Sequence, residues 1–511
     1  MKNISFIRPL LVVLVLSISS CEKGFDELNV NPNSPTALNP VLLLNNGILS
    51  SAFPGGDALV FEAGIVQQIV SPNGTVLEGA NFNKDNKPRN AANWNNYFQN
   101  ANRHLADVIE QTRDNANRSN LYHAARIWRA NVMMILTDTY GDIPYTEAGL
   151  GYLKGIAFPK YDKQEAIYND VIKELTEAAA GLDAAKTRET GEIMYGGDVV
   201  KWRRLAFSLL LRAGMRLQAV NPTLARSTVE RAVAGGVMQS NADNAVIRHD
   251  ANYTNSTGGT LNGSEANNYY LTKPFVDQLK NTNDPRLPAI AVRYVGAASG
   301  PQQTAARANR TTAVQIGMPM GFDNSTIVAQ ATRDGLVSFY DYSQLDRTRM
   351  GKLASPNFFV TFAQTQLLLA EAAVRGWTAG NPATFYNAGV TAHMQQLADY
   401  DPGSAIAAAD ITAYLAANPF VAARGLEQIG TQYWIASFLN FPETWANFRR
   451  ANFPVLTPNP YPGKTIRGNF INRLSYPDAE NSVNRTNLDA AIQSQGLRDI
   501  NDLDTPVWWD K

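Results

Sequence analysis

Apolar positions in this chain recur mostly at helical spacing. Ala124, Trp128, Val132 and Ile135 share one face of a helix expected over about 121–139, which Gly141 and Pro144 should end. Ile167, Val171, Leu175, Ala178 and Leu182 repeat the pattern behind Asp162-Lys163-Gln164-Glu165, which has the form of a capping box. Val199, Trp202, Leu205, Ala206, Leu209, Leu210 and Ala213 form the buried stripe of a third helix, with Asp198 placed to cap it. Later helices are expected over 358–376, 383–398, 408–417 and 424–439. The helical pattern thus falls into two blocks, about 93–235 and 355–440.

Between the blocks, residues 240–350 are dominated by Asn, Thr, Ser, Gly and Gln, with short apolar runs such as Ala289–Val292. This stretch predicts loops, short strands and irregular structure. It is too long for a plain linker inside a compact domain, and long structured loops often carry function. Paired amphipathic helices joined by short turns predict a mostly α fold of stacked tetratricopeptide-like hairpins. No regular 34-residue spacing accompanies them, so the units are degenerate.

One apolar run does not belong to this scaffold. Leu10–Ile18 is apolar except for Ser17, follows the positive Lys2 and Arg8, and leads through Ser19 and Ser20 to Cys21. It is shorter than the ~20 residues a membrane-spanning helix needs and has the length of a signal-peptide core. Residues 1–20 therefore read as a signal peptide. Ile18-Ser19-Ser20-Cys21 resembles a bacterial lipobox, which makes Cys21 the lipid-attachment residue. Cys21 is the only cysteine, which excludes an internal disulfide. Residues 21–40, rich in Asn and Pro, read as a tether to a single domain over 41–511.

Composition narrows the chemistry. Lys+Arg and Asp+Glu both number 45, and loss of residues 1–20 leaves about −2. No basic stripe marks a nucleic-acid surface. His104, His123, His249 and His393 stand in no metal-ligand spacing, so no metal or other cofactor is expected. Gly463-Lys464-Thr465 mimics the end of a phosphate loop, but Pro458 stands where the loop's first glycine belongs. No nucleophile elbow occurs, and no pair of carboxylates is marked out as a glycosidase couple. The expected class is a binding protein and not an enzyme.

A glycan site needs aromatic rings for the CH-rich sugar faces beside amides and charges for the hydroxyls. Two loop segments have that mixture. Phe82–Trp94 contributes Phe82, Asn83, Lys84 and Arg89, with Trp94 and Tyr97 read as packing residues. Tyr253–Tyr270 contributes Asn267, Asn268, Tyr269 and Tyr270.

Several ordered motifs resemble the SusD/RagB family of Bacteroidetes outer-membrane lipoproteins. Asn29–Thr36 (NVNPNSPT) is similar to its N-terminal stretch. Asp138–Ala148 (DTYGDIPYTEA) matches its most distinctive block. Tyr195–Trp202 (YGGDVVKW), Leu368–Trp377 (LLAEAAVRGW) and Glu443–Arg450 (ETWANFRR) follow in order, and Arg473–Pro477 and Val507–Asp510 resemble the closing segments. The spacing suits the SusD-like type 2 branch. The resemblance implies a cell-surface receptor for oligosaccharide, or for peptide in some members, that caps a SusC-type TonB-dependent β-barrel transporter. It implies hairpins as scaffold and irregular loops as ligand site, but it transfers no ligand residue. The motif blocks themselves read as structural: Gly141 for a positive φ, and Arg449, Arg450 and Glu443 in internal ion pairs. Two other classes compete, a lipid-anchored glycoside hydrolase and a helical-repeat adaptor.

Overall fold

The apolar periodicity becomes helix where predicted, and the ends are set by particular side chains. The computed structural model describes residues 38–511. Cys21, the signal peptide, most of the tether and the Asn29–Thr36 motif lie outside the described residues. Among the described residues, fourteen helices have nine residues or more. In chain order they are α1 Pro40–Ser50, α2 Lys87–Asn95, α3 Arg103–Thr112, α4 Ser119–Tyr140, α5 Gln164–Gly181, α6 Val199–Arg216 and α7 Pro222–Gly235. After these come α8 Lys273–Asn281, α9 Phe362–Val374, α10 Pro382–Gln396, α11 Ala408–Ala417, α12 Gly425–Ala436, α13 Phe441–Ala451 and α14 Arg485–Gln495. No single described helix is long and apolar enough to cross a membrane.

Four pairs of consecutive helices, α4–α5, α6–α7, α9–α10 and α12–α13, pack in series through α5 on α6, α6 on α9 and α9 on α12. The stacking is close because glycines stand at the contacts. A Cβ on Gly389 of α10 would meet Leu367 Cγ of α9 at 2.7 Å. Trp128, Trp202, Trp434 and Trp445 are buried in the main core, as their helical settings predict. The segment 240–350 leaves the hairpin stack, as its composition predicts. It builds short two- and three-stranded antiparallel sheets and adds α8. A small apolar core of its own includes Met318, Met320, Ile327 and Tyr342.

Several local expectations need correction. Asp162 does not cap α5. It lies in a short strand (Tyr161–Asp162) paired with Ile143–Pro144, and its carboxylate accepts from the Thr146 N–H at 2.8 Å and hydroxyl at 3.0 Å. The N-terminus of α5 is served from the preceding turn, where Asp142 accepts from the Gln164 N–H at 2.9 Å. Asp198 does cap α6, accepting from Val200 at 2.9 Å and Lys201 at 3.2 Å. The helix expected from 358 starts at Phe362, because Asn357–Val360 is a strand paired with Ala245–Ile247. Thr361 and Gln364 then make a reciprocal capping box.

The motif blocks meet in a buried charged hub. Arg216 of α6 reaches Asp138 of α4 at 3.1 Å and Glu443 of α13 at 2.7 Å, and Arg212 reaches Glu443 at 3.3 Å. Burial works against the Arg216 charge, but Glu443 and Asp138 outweigh it. Arg450 pairs with Glu371 at 2.6 Å, as expected. Arg449 differs. It donates to the carbonyls of Asn472 at 2.6 Å and Asp138 at 2.7 Å, with its guanidinium 3.9 Å from the Trp445 ring centroid and 4.9 Å from that of Trp509. Burial brings its pKa down to about 10. Trp509 is buried and donates to Asp138 at 2.7 Å, so the C-terminus is pinned into the hub.

Candidate functional site

Helix α2 begins with Asn86 accepting from the Arg89 N–H and with Pro88 in its first turn. It does not stop at Asn95. Asn96–Asn102 continues as a π-helix and passes directly into α3. Wide turns of this kind are uncommon and concentrate at functional sites. The end of this one is held by Arg129, which donates to Asn102 at 3.0 Å.

The outward face of this continuous helix forms one wall of a groove of about 470 Å³. Trp94 and Phe98 lie along it with ring centroids 4.5 Å apart, and Asn95, Gln99 and Arg103 stand at its edge. The opposite walls come from 144–159 and 477–483. Gly149, at φ +83°, lets the first of these press onto the helix: a Cβ there would meet Ala106 Cβ at 2.8 Å. Tyr152 stands at the mouth, 96% exposed, and Val483 is 61% exposed. Phe158, next to the groove residue Pro159, is 59% exposed.

Behind the groove the rings are fixed. Trp94 meets Tyr140 edge-on at 4.9 Å, and Tyr161 meets Tyr476 at 5.6 Å. The Tyr161 hydroxyl donates to Glu480 at 2.7 Å, and its pKa is raised, mainly by burial and next by Glu480. Chemically the groove offers the Phe98 and Tyr152 rings beside two amides, one guanidinium and one carboxylate; Trp94, 4% exposed, packs beneath them, as its reading as a packing residue has it. The groove can stack an apolar face and hydrogen-bond polar edges.

The structure brings the two loop segments chosen from the sequence near each other. Arg89 pairs with Asp57 at 3.2 Å, and the turn Gly55–Ala58 that carries Asp57 packs on Ser256–Leu261. Arg89 also acts electrostatically on the Tyr269 hydroxyl, opposing the burial that raises its pKa. Half of the eight candidate residues are internal. Phe82 is buried against Tyr461 at 4.6 Å. Asn83 is buried, with φ +53°, and donates to the Asn459 carbonyl at 3.1 Å. Tyr269 is buried, and Tyr270 has no exposed area: it sits in a strand paired to Val70 and donates to the Asn267 carbonyl at 2.6 Å. Tyr270 therefore has no face for a ligand, and reading this Tyr pair as an open stacking platform is corrected. A strand alternates its faces, and in this region both are covered. Arg89, 57% exposed as a side chain, and Lys84, Asn267 and Asn268 keep surface. Lys84 lies 5.8 Å from the Tyr461 ring centroid, and the Asn268 amide donates to Glu265 at 2.8 Å.

The residues sequence reasoning missed are Phe98, Gln99, Tyr152, Glu480 and Val483. They come from three distant segments, and the only linear cue is Tyr152 in the Gly-flanked run GYLKG.

Fold and site define a stacked helical-hairpin scaffold with a surface groove of mixed aromatic and polar lining. The chain matches, over residues 32–477, the model of the SusD-like_2 family, described as "Starch-binding associating with outer membrane". It belongs to that family. Among solved structures, a protein titled a chitin-binding protein is 31% identical, with a TM-score of 0.82 over 92% of this chain and 100% of that one. One titled Bacteroidetes AC2a SusD-like is 29% identical, with a TM-score of 0.80 over 93% and 100%. A structure titled a chitin-binding SusD homolog from Flavobacterium johnsoniae shares the fold at 23% identity and a TM-score of 0.72, over 91% and 98%. No curated protein matches the chain.

Proposed function

We propose that this protein is a lipid-anchored, non-catalytic receptor of the outer membrane, facing the cell exterior. It captures oligosaccharide in the Trp94–Phe98–Tyr152 groove and passes it to a SusC-type TonB-dependent transporter. The observation that carries the reading is the groove itself: the Phe98 and Tyr152 rings for sugar stacking next to the exposed Asn95 and Gln99 amides, which are joined to each other at 3.3 Å, on a helical wall. Family membership and the chitin-binding title of a relative that matches over its full length support the glycan class. The lipobox-like string ending at Cys21 supports the anchor. Arg89 stands five residues before Trp94 on the same helix, roughly 7.5 Å along its axis. Lys87 pairs at 3.1 Å with Asp478, beside groove residues Pro477 and Ala479. Arg89, Lys84, Asn267 and Asn268 are thus proposed to hold the parts of a longer chain that extend beyond the groove.

Titration calorimetry with soluble oligosaccharides, chito-oligosaccharides included, and with peptides tests this reading. Saccharide binding that weakens in Tyr152→Ala, with no new reducing ends released over time, is the expected result. Steady release of reducing ends, or binding confined to peptides, would overturn it.

A further inference from the structure

A second cavity lies on the other helical block. It has a volume of about 300 Å³, at the lower end of the ~300–1,000 Å³ usual for small-ligand sites. Helices α8, α10, α11 and α12 contribute to it, and it shares no lining residue with the groove. Its character is different. Tyr386, Tyr414 and Gln432 line it and are themselves buried, so each is a fixed group and not a mobile surface side chain.

What fixes them is a charged network beneath the floor. Arg286, fully buried, is paired with Asp284, donates to the Gln432 side-chain oxygen at 2.7 Å, and lies 3.1 Å from Nδ1 of His393. His393 is held neutral, by burial first and the Arg286 charge second, so it accepts from the guanidinium. With its oxygen occupied by Arg286, Gln432 must present its NH₂, which donates to the Tyr414 hydroxyl at 3.0 Å. The amide and hydroxyl at the floor therefore have assigned directions before any ligand arrives.

Above the floor, two polar side chains are uncommitted. Among the described residues, the side chains of Gln278 and Thr431 make no hydrogen bond to protein. The only charged side chains in the lining, Arg424 and Glu427, are paired with each other at 2.6 Å, so the cavity carries no net charge. Two tyrosine rings, an oriented amide, a free amide and a free hydroxyl in a neutral setting match a compact neutral polyol. A carboxylate would find no unpaired cation, and an apolar group would leave the polar lining unsatisfied.

We infer that this cavity is a second binding site, for a single neutral sugar ring, held by Gln278, Thr431 and the Tyr386–Tyr414–Gln432 floor. It does not rest on the reading of the groove. Such a site would grip a chain end or a released monosaccharide while the groove engages the polymer.

Saturation-transfer NMR with methyl glucoside, N-acetylglucosamine and glucuronate tests it, on the full soluble domain. The variants are Gln278→Leu, Thr431→Val and, as the groove control, Tyr152→Ala. Both substituted pocket residues are partly exposed, and an unchanged thermal midpoint confirms that the variants fold. Transfer to at least one neutral sugar, reduced at least fivefold in Gln278→Leu and Thr431→Val but retained in Tyr152→Ala, is the expected result. Absence of transfer in the wild type, equal transfer in the pocket variants, loss only in Tyr152→Ala, or equal transfer to glucuronate would each overturn it. Retained monosaccharide transfer in a protein that binds no oligosaccharide would sink the groove reading and leave this one standing.

Discussion

Tyr152 holds almost its whole ring in solvent, between two glycines, at the mouth of a groove whose other rings are packed in place. Replacing it by alanine removes a stacking face and disturbs no core. A stacking contact contributes ~0.5–1.5 kcal/mol beyond buried area, so Tyr152→Ala should weaken saccharide binding several-fold in calorimetry while leaving the unfolding midpoint unchanged. Tyr270→Ala should do the reverse: its buried ring belongs to the fold, so the loss appears as destabilisation. Glu62 gives a prediction in pH. Burial, opposed by a backbone hydrogen bond, pushes its pKa up from 4.5 to about 8. The folded state therefore keeps a proton that the unfolded chain releases. Stability from this group is complete below pH 4.5 and falls as pH rises toward 8, by up to about 1.4 kcal/mol per pH unit. Glu62→Gln should flatten denaturation stability across that window; an unchanged pH profile would remove Glu62 as the cause. At this scale the sequence showed which residues were polar or aromatic, but not which were covered. Tyr269 and Tyr270 read as loop aromatics, and nothing local reveals that Val70, far away in sequence, pairs with Tyr270.

Elements were the most legible level, because a helix writes its buried face into the sequence every three to four residues. The predicted helix over 408–417 has its observed ends, and α6 starts at the cap that Asp198 announces. Asp198→Ala should cost about 1 kcal/mol in chemical denaturation, since two N–H groups lose their acceptor. Gly389→Val should cost more, about 1–3 kcal/mol, by forcing a branched side chain against Leu367. An equal or smaller loss than for Asp198→Ala would mean that α9 and α10 can move apart. What stayed illegible at this level depends on partners distant in sequence. Asp162 has the pattern of a cap but is recruited by Thr146, and Asp142 takes its place. The π-helical stretch Asn96–Asn102 has no periodic signature, because its extra residue per turn shows only when the flanking helices are aligned in space.

For the whole molecule, the two helical blocks, the intervening loop-rich region and the family were legible from ordered motifs. The groove was not, since residues near 95, 150 and 480 become neighbours only in the finished fold. Asp138, Glu443 and Trp509 show how the motif blocks serve that fold: three of them converge on one buried hub around Arg216. The proposed anchor is tested at this scale too. If acyl chains on Cys21 supply the hold, as proposed, Cys21→Ala should shift the protein from membrane to soluble fractions when its transporter is absent. Retention of the variant in the membrane fraction would refute lipidation at that residue.

The most direct test of the account is a crystal structure of the mature domain soaked with a soluble oligosaccharide that it binds in solution. The account predicts an intact saccharide lying against Phe98 and Tyr152 with its hydroxyls on Asn95 or Gln99. A saccharide bound elsewhere with the groove empty, or one cleaved in place, would contradict it.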